Sequence, residues 1–320
     1  MLMNRFIIGS SLVSLLALGC EGKREGPRPV ESKQAESSAL EPPRPAQFAE
    51  RHPTFDTYWY QGAAELTRYE LRQARYGDQH EGEAVLIFVT EDFLPKLQVK
   101  QEHGDSPDAI SVLKLNAYRR FYTGIYPYTL MTSSFTPARA SDGGTLKVSS
   151  TVQEWCGHVY SQINRREDGL HAILHSYFQD DADQKMVLPD APLEDGIWAQ
   201  IRIDPSKIEE GERELVPGLH YIRMRHKALR AYPVTVSRRA AAETELVDHP
   251  VTALELRYPA LGRTLTIYYE PEFPHVIQAW EESVGPQRTT AVRTHAILDD
   301  YWNHNSPEDA AYRDALGLTE

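Results

Sequence analysis

From His52 onward, apolar and polar positions mostly alternate, and the apolar ones are rich in β-branched and aromatic residues. That is the pattern of half-buried strands. Ala84-Val85-Leu86-Ile87-Phe88-Val89-Thr90 is a short, strongly apolar run. Residues 111–118 alternate, and Thr123-Gly124 turns the chain into a strand over 125–135. Residues 146–163 read as one long extended stretch, separated by 164–169 from the next, 170–178. Further strands are expected at 219–224, 232–238, 251–258, 264–269, 276–280 and 289–298, with Pro259-Ala260-Leu261-Gly262 as a hairpin loop.

Two segments carry helical signals. Residues 192–203 start with a proline and place Leu193, Ile197, Trp198 and Ile201 at helical spacing. A second helix opens at Ser306-Pro307-Glu308-Asp309, with an N-cap serine, proline in the first position, acids in the first turn and Gly317 to stop it. Residues 63–76 fit a helix face through Leu66, Tyr69, Gln73 and Tyr76. The alternation Ala64/Leu66 and the turn Tyr76-Gly77-Asp78 favour a strand instead. Many strands in succession, without strand–helix alternation, imply an antiparallel sheet. Its apolar face needs cover, which curling or sheet stacking supplies. The expected fold is mainly β: a curved antiparallel sheet, barrel or half-barrel, over residues 51–320, with a few short helices and 190–217 as the place where two halves would meet.

The first fifty residues follow other rules. Arg5 precedes a short apolar stretch that ends in Leu16-Ala17-Leu18-Gly19-Cys20. The stretch is too brief and too rich in Ser and Gly for a membrane span. It resembles a bacterial lipoprotein signal, with Gly19 before the cysteine, although Ala17 and Leu18 replace the usual Leu and small residue. The resemblance implies that residues 1–19 are removed and that Cys20 is acylated. Residues 20–50 hold five prolines, six glutamates and no aromatic residue before Phe48, which reads as a tether unable to bury a core. Such an anchor attaches a protein to a membrane without a transmembrane helix.

Composition narrows the function classes. Among 320 residues there are 34 Lys+Arg against 46 Asp+Glu, a formal charge of −12, which argues against a general nucleic-acid binder. Removal of 1–19 takes away one further cation, Arg5. Two cysteines give no disulfide framework, and acylation of Cys20 would leave Cys156 as the sole thiol. Stability must then come from the core, which this length permits.

Three stretches carry a resemblance over roughly residues 58–300: residues 82–93, residues 114–128, and Gln153-Glu154-Trp155-Cys156-Gly157-His158. Together they resemble a family of bacterial exported lipoproteins often labelled septum formation inhibitor Maf. Maf pyrophosphatases are cytosolic and carry a Ser-Pro-Arg-Arg motif near the N-terminus. This chain has Val236-Ser237-Arg238-Arg239 in its second half, so that activity does not transfer. The resemblance implies an exported β-rich domain, akin to half-barrels that shield lipids, and assigns no catalytic residues.

The sharpest constellation is Glu154-Trp155-Cys156-Gly157-His158. On a continuous strand Glu154, Cys156 and His158 share one face. A histidine beside a thiol can activate it, and a carboxylate can orient the histidine. Residues two apart on a strand sit about 6.5–7 Å apart, so a buried structural Cys156 is the simpler expectation. His171 and His175 have zinc-like spacing but fall on a strand, and Asp180-Asp181-Ala182-Asp183 reads as a solvated turn. Tyr221, Arg223, Arg225 and Lys227 would line one strand face, suited to anionic headgroups or to solvent. No P-loop, dinucleotide fingerprint, nucleophile elbow or Cys-x-x-Cys is present, and no cofactor or metal is implied. The leading expectation is a non-enzymatic envelope lipoprotein that binds an envelope component or apolar ligand. Glu21 after Cys20 favours the outer membrane, facing the periplasm. The competing class is an envelope hydrolase or thiol enzyme centred on Glu154, Cys156 and His158.

Overall fold

The computed structural model describes residues 54–139 and 144–318. The signal segment 1–19, Cys20 and the tether 20–50 lie outside these residues. A short helix α1 (Phe55–Trp59) leads into β1 (Ala64–Arg75), β2 (Asp78–Leu94), β3 (Val99–Lys100), β4 (Ile110–Thr123) and β5 (Tyr126–Pro137). Then come β6 (Lys147–Glu154), β7 (Gly157–Arg166), β8 (Gly169–Ser176) and β9 (Gln184–Leu188). Helix α2 (Glu194–Ile203), β10 (Gly211–Leu215) and helix α3 (Leu219–Arg225) interrupt the meander. It resumes with β11 (Tyr232–Ala241), β12 (Val251–Tyr258), β13 (Arg263–Tyr269), β14 (Ile277–Val284) and β15 (Gln287–Asp299), and ends in α4 (Tyr312–Ala315).

All strands form one antiparallel sheet in the order β10-β11-β12-β13-β14-β15-β1-β2-β4-β5-β6-β7-β8-β9, with β3 off β2. The first strand therefore sits mid-sheet, joined to the last one by the Ala64↔Asp299 register. The sheet does not close into a barrel; β9 and β10 are its edges, and the bridge between Leu193 and Val216 lies beside them. Register shifts at Arg68/Tyr69 and Tyr268/Tyr269 mark bulges, which bend strands.

One face of the sheet is concave and apolar. Leu71, Leu86, Leu115, Leu130, Ile163, Leu256, Ile267 and Trp280 belong to a single buried cluster that also includes Ile197, Trp198 and Ile201 of α2 and Leu219 and Ile222 of α3. The two helices thus occupy the concavity: α2 packs on β4 and β5, and α3 on β5 and β6. Close approach is possible because facing residues are small. A Cβ on Gly196 would lie 1.7 Å from Thr145 Oγ1, and one on Gly218 would lie 2.9 Å from Glu194 Oε1. Outside, Leu316 packs with Ala64, Leu66 and Val89, so the C-terminal segment covers part of the convex face.

Mainly-β architecture, the antiparallel sheet and most strand positions agree with expectation. Two elements differ. Residues 146–163 are a hairpin, β6 and β7, turned at Trp155-Cys156. Residues 219–225 form α3. Leu219, Tyr221, Ile222, Arg223 and Met224 are all buried, because the helix is surrounded inside the sheet. Its apolar pattern therefore has no wet face to reveal the helical period. The Ser306 capping box and the positive-φ residue Gly317 are present, but the first half of the segment between them is 3-10 (Pro307–Ala311), before α4.

Candidate functional site

Three buried ion pairs fasten the internal helices to the sheet. Arg202, at the end of α2, donates to both carboxylate oxygens of Glu65 on β1 at 2.5 and 2.6 Å and to the Pro274 carbonyl at 2.8 Å. Its guanidinium lies 4.8 Å from the Phe88 ring and 5.1 Å from the Trp59 ring. At the other end of α2, Glu194 accepts from Arg263 at 2.5 and 2.7 Å and from the Tyr258 hydroxyl at 2.7 Å. Arg263 also donates to Glu282 at 2.5 Å. Burial is the largest influence and would raise the Glu282 carboxyl, but the basic neighbours Arg263, His220 and Arg119 and the Arg263 hydrogen bond together outweigh it and hold the group at about 2. Arg223 of α3 faces Glu154 at 3.4 Å, both side chains nearly solvent-free.

Between these pairs lie two small cavities, of about 20 and 10 Å³, both touching Arg119 and His220. Spaces of that size hold on the order of one water molecule each, not an organic ligand. Arg119 is buried 5.3 Å from the Trp280 ring and, among the described residues, donates no side-chain hydrogen bond. Burial, aided by the Arg119 charge, drives the His220 pKa well down. Asp195 lines the larger cavity and accepts the Leu219 N–H at 2.9 Å, capping α3. Burial pushes its carboxyl up to about 7, against that hydrogen bond and with help from neighbouring Glu194.

A space large enough for a ligand lies at the seam. Beside α2, between residues 190–193 and β10, a cleft of about 390 Å³ opens, within the range of small-molecule sites. Leu193, Gly196, Ile197 and Gln200 recur at helical spacing along its wall. Ile208, Leu215 and Val236 complete an aliphatic floor. The rim is charged. Arg165 is fully engaged by the Thr145 and Ala191 carbonyls, at 2.9 Å each, and by Asp190. Arg213 pairs with Glu209 at 2.5 Å. Lys207 is exposed and has no ion pair among the described residues.

The residues singled out from the sequence come together only in part. Glu154 closes β6, and its Oε2 accepts the Cys156 N–H at 2.6 Å while Oε1 faces Arg223. Cys156 is exposed at the tip of the turn, not buried in the sheet. Strand alternation ends at the turn, so Glu154, Cys156 and His158 do not continue one strand face. His158 starts the return strand, opposite Gln153. The hydrogen bond and charge of Glu154 raise the Cys156 thiol, which opposes nucleophile formation. Tyr221, Arg223, Arg225 and Lys227 are no basic row on a strand. Tyr221 and Arg223 are buried in α3, Arg223 lies 4.0 Å over the Phe178 ring, Arg225 donates to Gln287 at 2.5 Å, and Lys227 is exposed.

His171 and His175 pair with Asp168 and Asp183 at 2.7 and 3.5 Å on their strand. The acidic turn anchors α3 through Asp181, which faces His226 at 2.9 Å. Among the described residues, Asp299, Asp300 and His304 bring three potential ligand atoms within 4.8 Å. His304 Nδ1 already bonds Asp299 at 2.7 Å, and its ring stacks on Tyr312. The cleft went unread because it is made by where strands end, although Leu193 and Ile197 carried a helical stripe.

No protein-family model and no curated protein matches the chain. Among solved structures, it is similar to a beta-barrel-like protein of the domain of unknown function DUF1849 from Brucella abortus. The TM-score is 0.45 at 9% identity, over 74% of this chain and 98% of that one.

Proposed function

We propose that the protein is a membrane-anchored envelope lipoprotein of non-enzymatic type, whose β-domain holds an amphiphile in the seam cleft. The observation that carries this is the cleft itself: about 390 Å³ with an aliphatic floor and, among the described residues, Lys207 without an ion pair at its rim, in a body whose concavity is otherwise filled by α2 and α3. An acyl chain would lie along Leu193, Ile197, Ile208 and Leu215, where burial is worth about 0.8 kcal/mol per methylene. An anionic head would reach Lys207. Attachment through Cys20 would put the cleft near a source of such ligands.

Against the thiol-enzyme alternative, the hydrogen bond and charge of Glu154 raise the Cys156 thiol rather than lowering it. The test is displacement of cis-parinaric acid by dodecanoate on the full chain, followed by fluorescence. Ile197→Trp should abolish binding by filling the floor. Lys207→Ala should weaken it about ten-fold, the scale of one lost charge-assisted hydrogen bond. Unchanged binding in both variants would remove the cleft from the function.

A further inference from the structure

Four consecutive hairpin connections at one end of the sheet carry large exposed apolar or aromatic side chains. They are Tyr76 between β1 and β2, Ile125 between β4 and β5, Trp155 between β6 and β7, and Tyr177 after β8, with exposures of 60, 82, 68 and 81%. Successive tips are two strands apart, so the row spans roughly 29 Å at about 4.8 Å per strand. The tips are joined from beneath by other aromatics. Trp155 stacks on Tyr126 at 6.0 Å, Tyr126 lies 5.8 Å from Tyr128, and the Tyr128 and Tyr76 hydroxyls are 2.7 Å apart. Tyr177 continues the row against Gly157, where a Cβ would come within 3.0 Å of its ring. Isolated exposed apolar residues need no explanation, but a contiguous row does.

The dipeptides Tyr76-Gly77, Gly124-Ile125 and Trp155-Cys156 contain no ionisable acid or base apart from the phenol and the thiol. The adjacent acid, Glu154, is neutralised by Arg223. At the fourth tip Asp181 is turned back to His226 and Asp183 to His175, while Asp180 is exposed. At the opposite end of the same strands, residues 95–109 contain Lys96, Glu102, Asp105 and Asp108, and the β7–β8 turn is Glu167-Asp168. The row of large apolar and aromatic side chains is thus flanked at its two ends by charge, with Arg75 lying 4.4 Å over the Tyr76 ring beside Asp78, and Asp180 exposed beyond Tyr177. Tryptophan and tyrosine, with an apolar body and a polar edge, are the side chains that settle at a membrane–water interface.

We propose that the tips bearing Tyr76, Ile125, Trp155 and Tyr177 seat in the interfacial layer of a zwitterionic bilayer, holding this end of the sheet against the membrane. The contact does not depend on a ligand in the seam cleft. Trp302, at the opposite end just after β15 and 44% exposed, is a built-in control. The full chain is reconstituted with phosphatidylcholine vesicles containing brominated acyl chains, and tryptophan emission is followed. Bromine quenching should fall about three-fold or more in Trp155→Phe, as expected for a side chain 5–10 Å into the interface, and should be unchanged in Trp302→Phe. Ile125→Glu, at an open turn, should reduce the Trp155 quenching without altering thermal stability. Co-flotation with the vesicles but no quenching that depends on Trp155 overturns the contact while leaving the Cys20 anchor intact. The anchor is tested separately, by flotation of Cys20→Ser.

Discussion

Ionisation of buried Asp195 burdens this fold, and Asp195→Asn isolates its effect. In the folded protein the carboxyl titrates at about 7, against an ordinary value of 3.8, chiefly because it is removed from water. Between those two values the unfolded chain has lost the proton and the folded protein still binds it. Stability therefore falls as pH rises, by about 1.4 kcal/mol per unit. The accumulated penalty above pH 7 is at most about 4 kcal/mol, and about 3 kcal/mol of it builds up between pH 5 and 8. Below the unfolded value the penalty vanishes. The asparagine oxygen can still accept the Leu219 N–H that the carboxylate accepts at 2.9 Å, so the cap on α3 survives. Urea unfolding at pH 5 and pH 8 gives the difference between wild type and variant at each pH, which cancels every other titrating group. The variant should gain on the wild type by roughly 2–3 kcal/mol on going from pH 5 to pH 8. Parallel pH dependences, or a gain toward low pH, would refute both the burial of this charge and its assigned sign.

The remaining expectations follow from the ion pairs and the exposed thiol. Glu65→Ala should destabilise by about 3–5 kcal/mol, because Arg202 is left charged in an apolar cage, whereas Glu65→Leu with Arg202→Met should recover most of the loss; equal losses in thermal melts would contradict this. Cys156 should react with Ellman's reagent in the folded protein, more slowly than a free thiol at pH 8. Glu154→Gln should speed the reaction several-fold by lowering the thiol pKa, and a faster wild-type rate would count against that.

Period-two alternation found the strands that line the concave face, because one side of each is buried and the other is wet. β12 coincides with the expected 251–258, and β13 differs from 264–269 by one residue. The same rule misled at residues 219–225, where a helix enclosed on nearly all sides shows no polar face. It misled again at 154–158, where a two-residue turn broke an alternation that looked continuous. Burial of charge was not readable at all. Glu65 and Arg202 lie far apart in the chain, and nothing near either one announces the other. The seam cleft is lined by residues scattered from Gly144 to Val236, which only the fold brings together. The aromatic tips were visible as individual residues, but their alignment needed the strand order.

That strand order has a consequence for how the chain comes off the ribosome. β1 is among the first strands made and β15 the last, yet they are neighbours in the middle of the sheet. Until Gln287–Asp299 has emerged, β1 keeps one whole flank of its backbone donors and acceptors open, and Glu65 has Arg202 but only half of its sheet. Contacts of this sequence separation form slowly, and an unpaired strand flank invites pairing with the wrong chain. The molecule is thus sewn shut by its final strand, so a chain stalled or clipped before residue 287 would expose an adhesive edge at the centre of its own sheet.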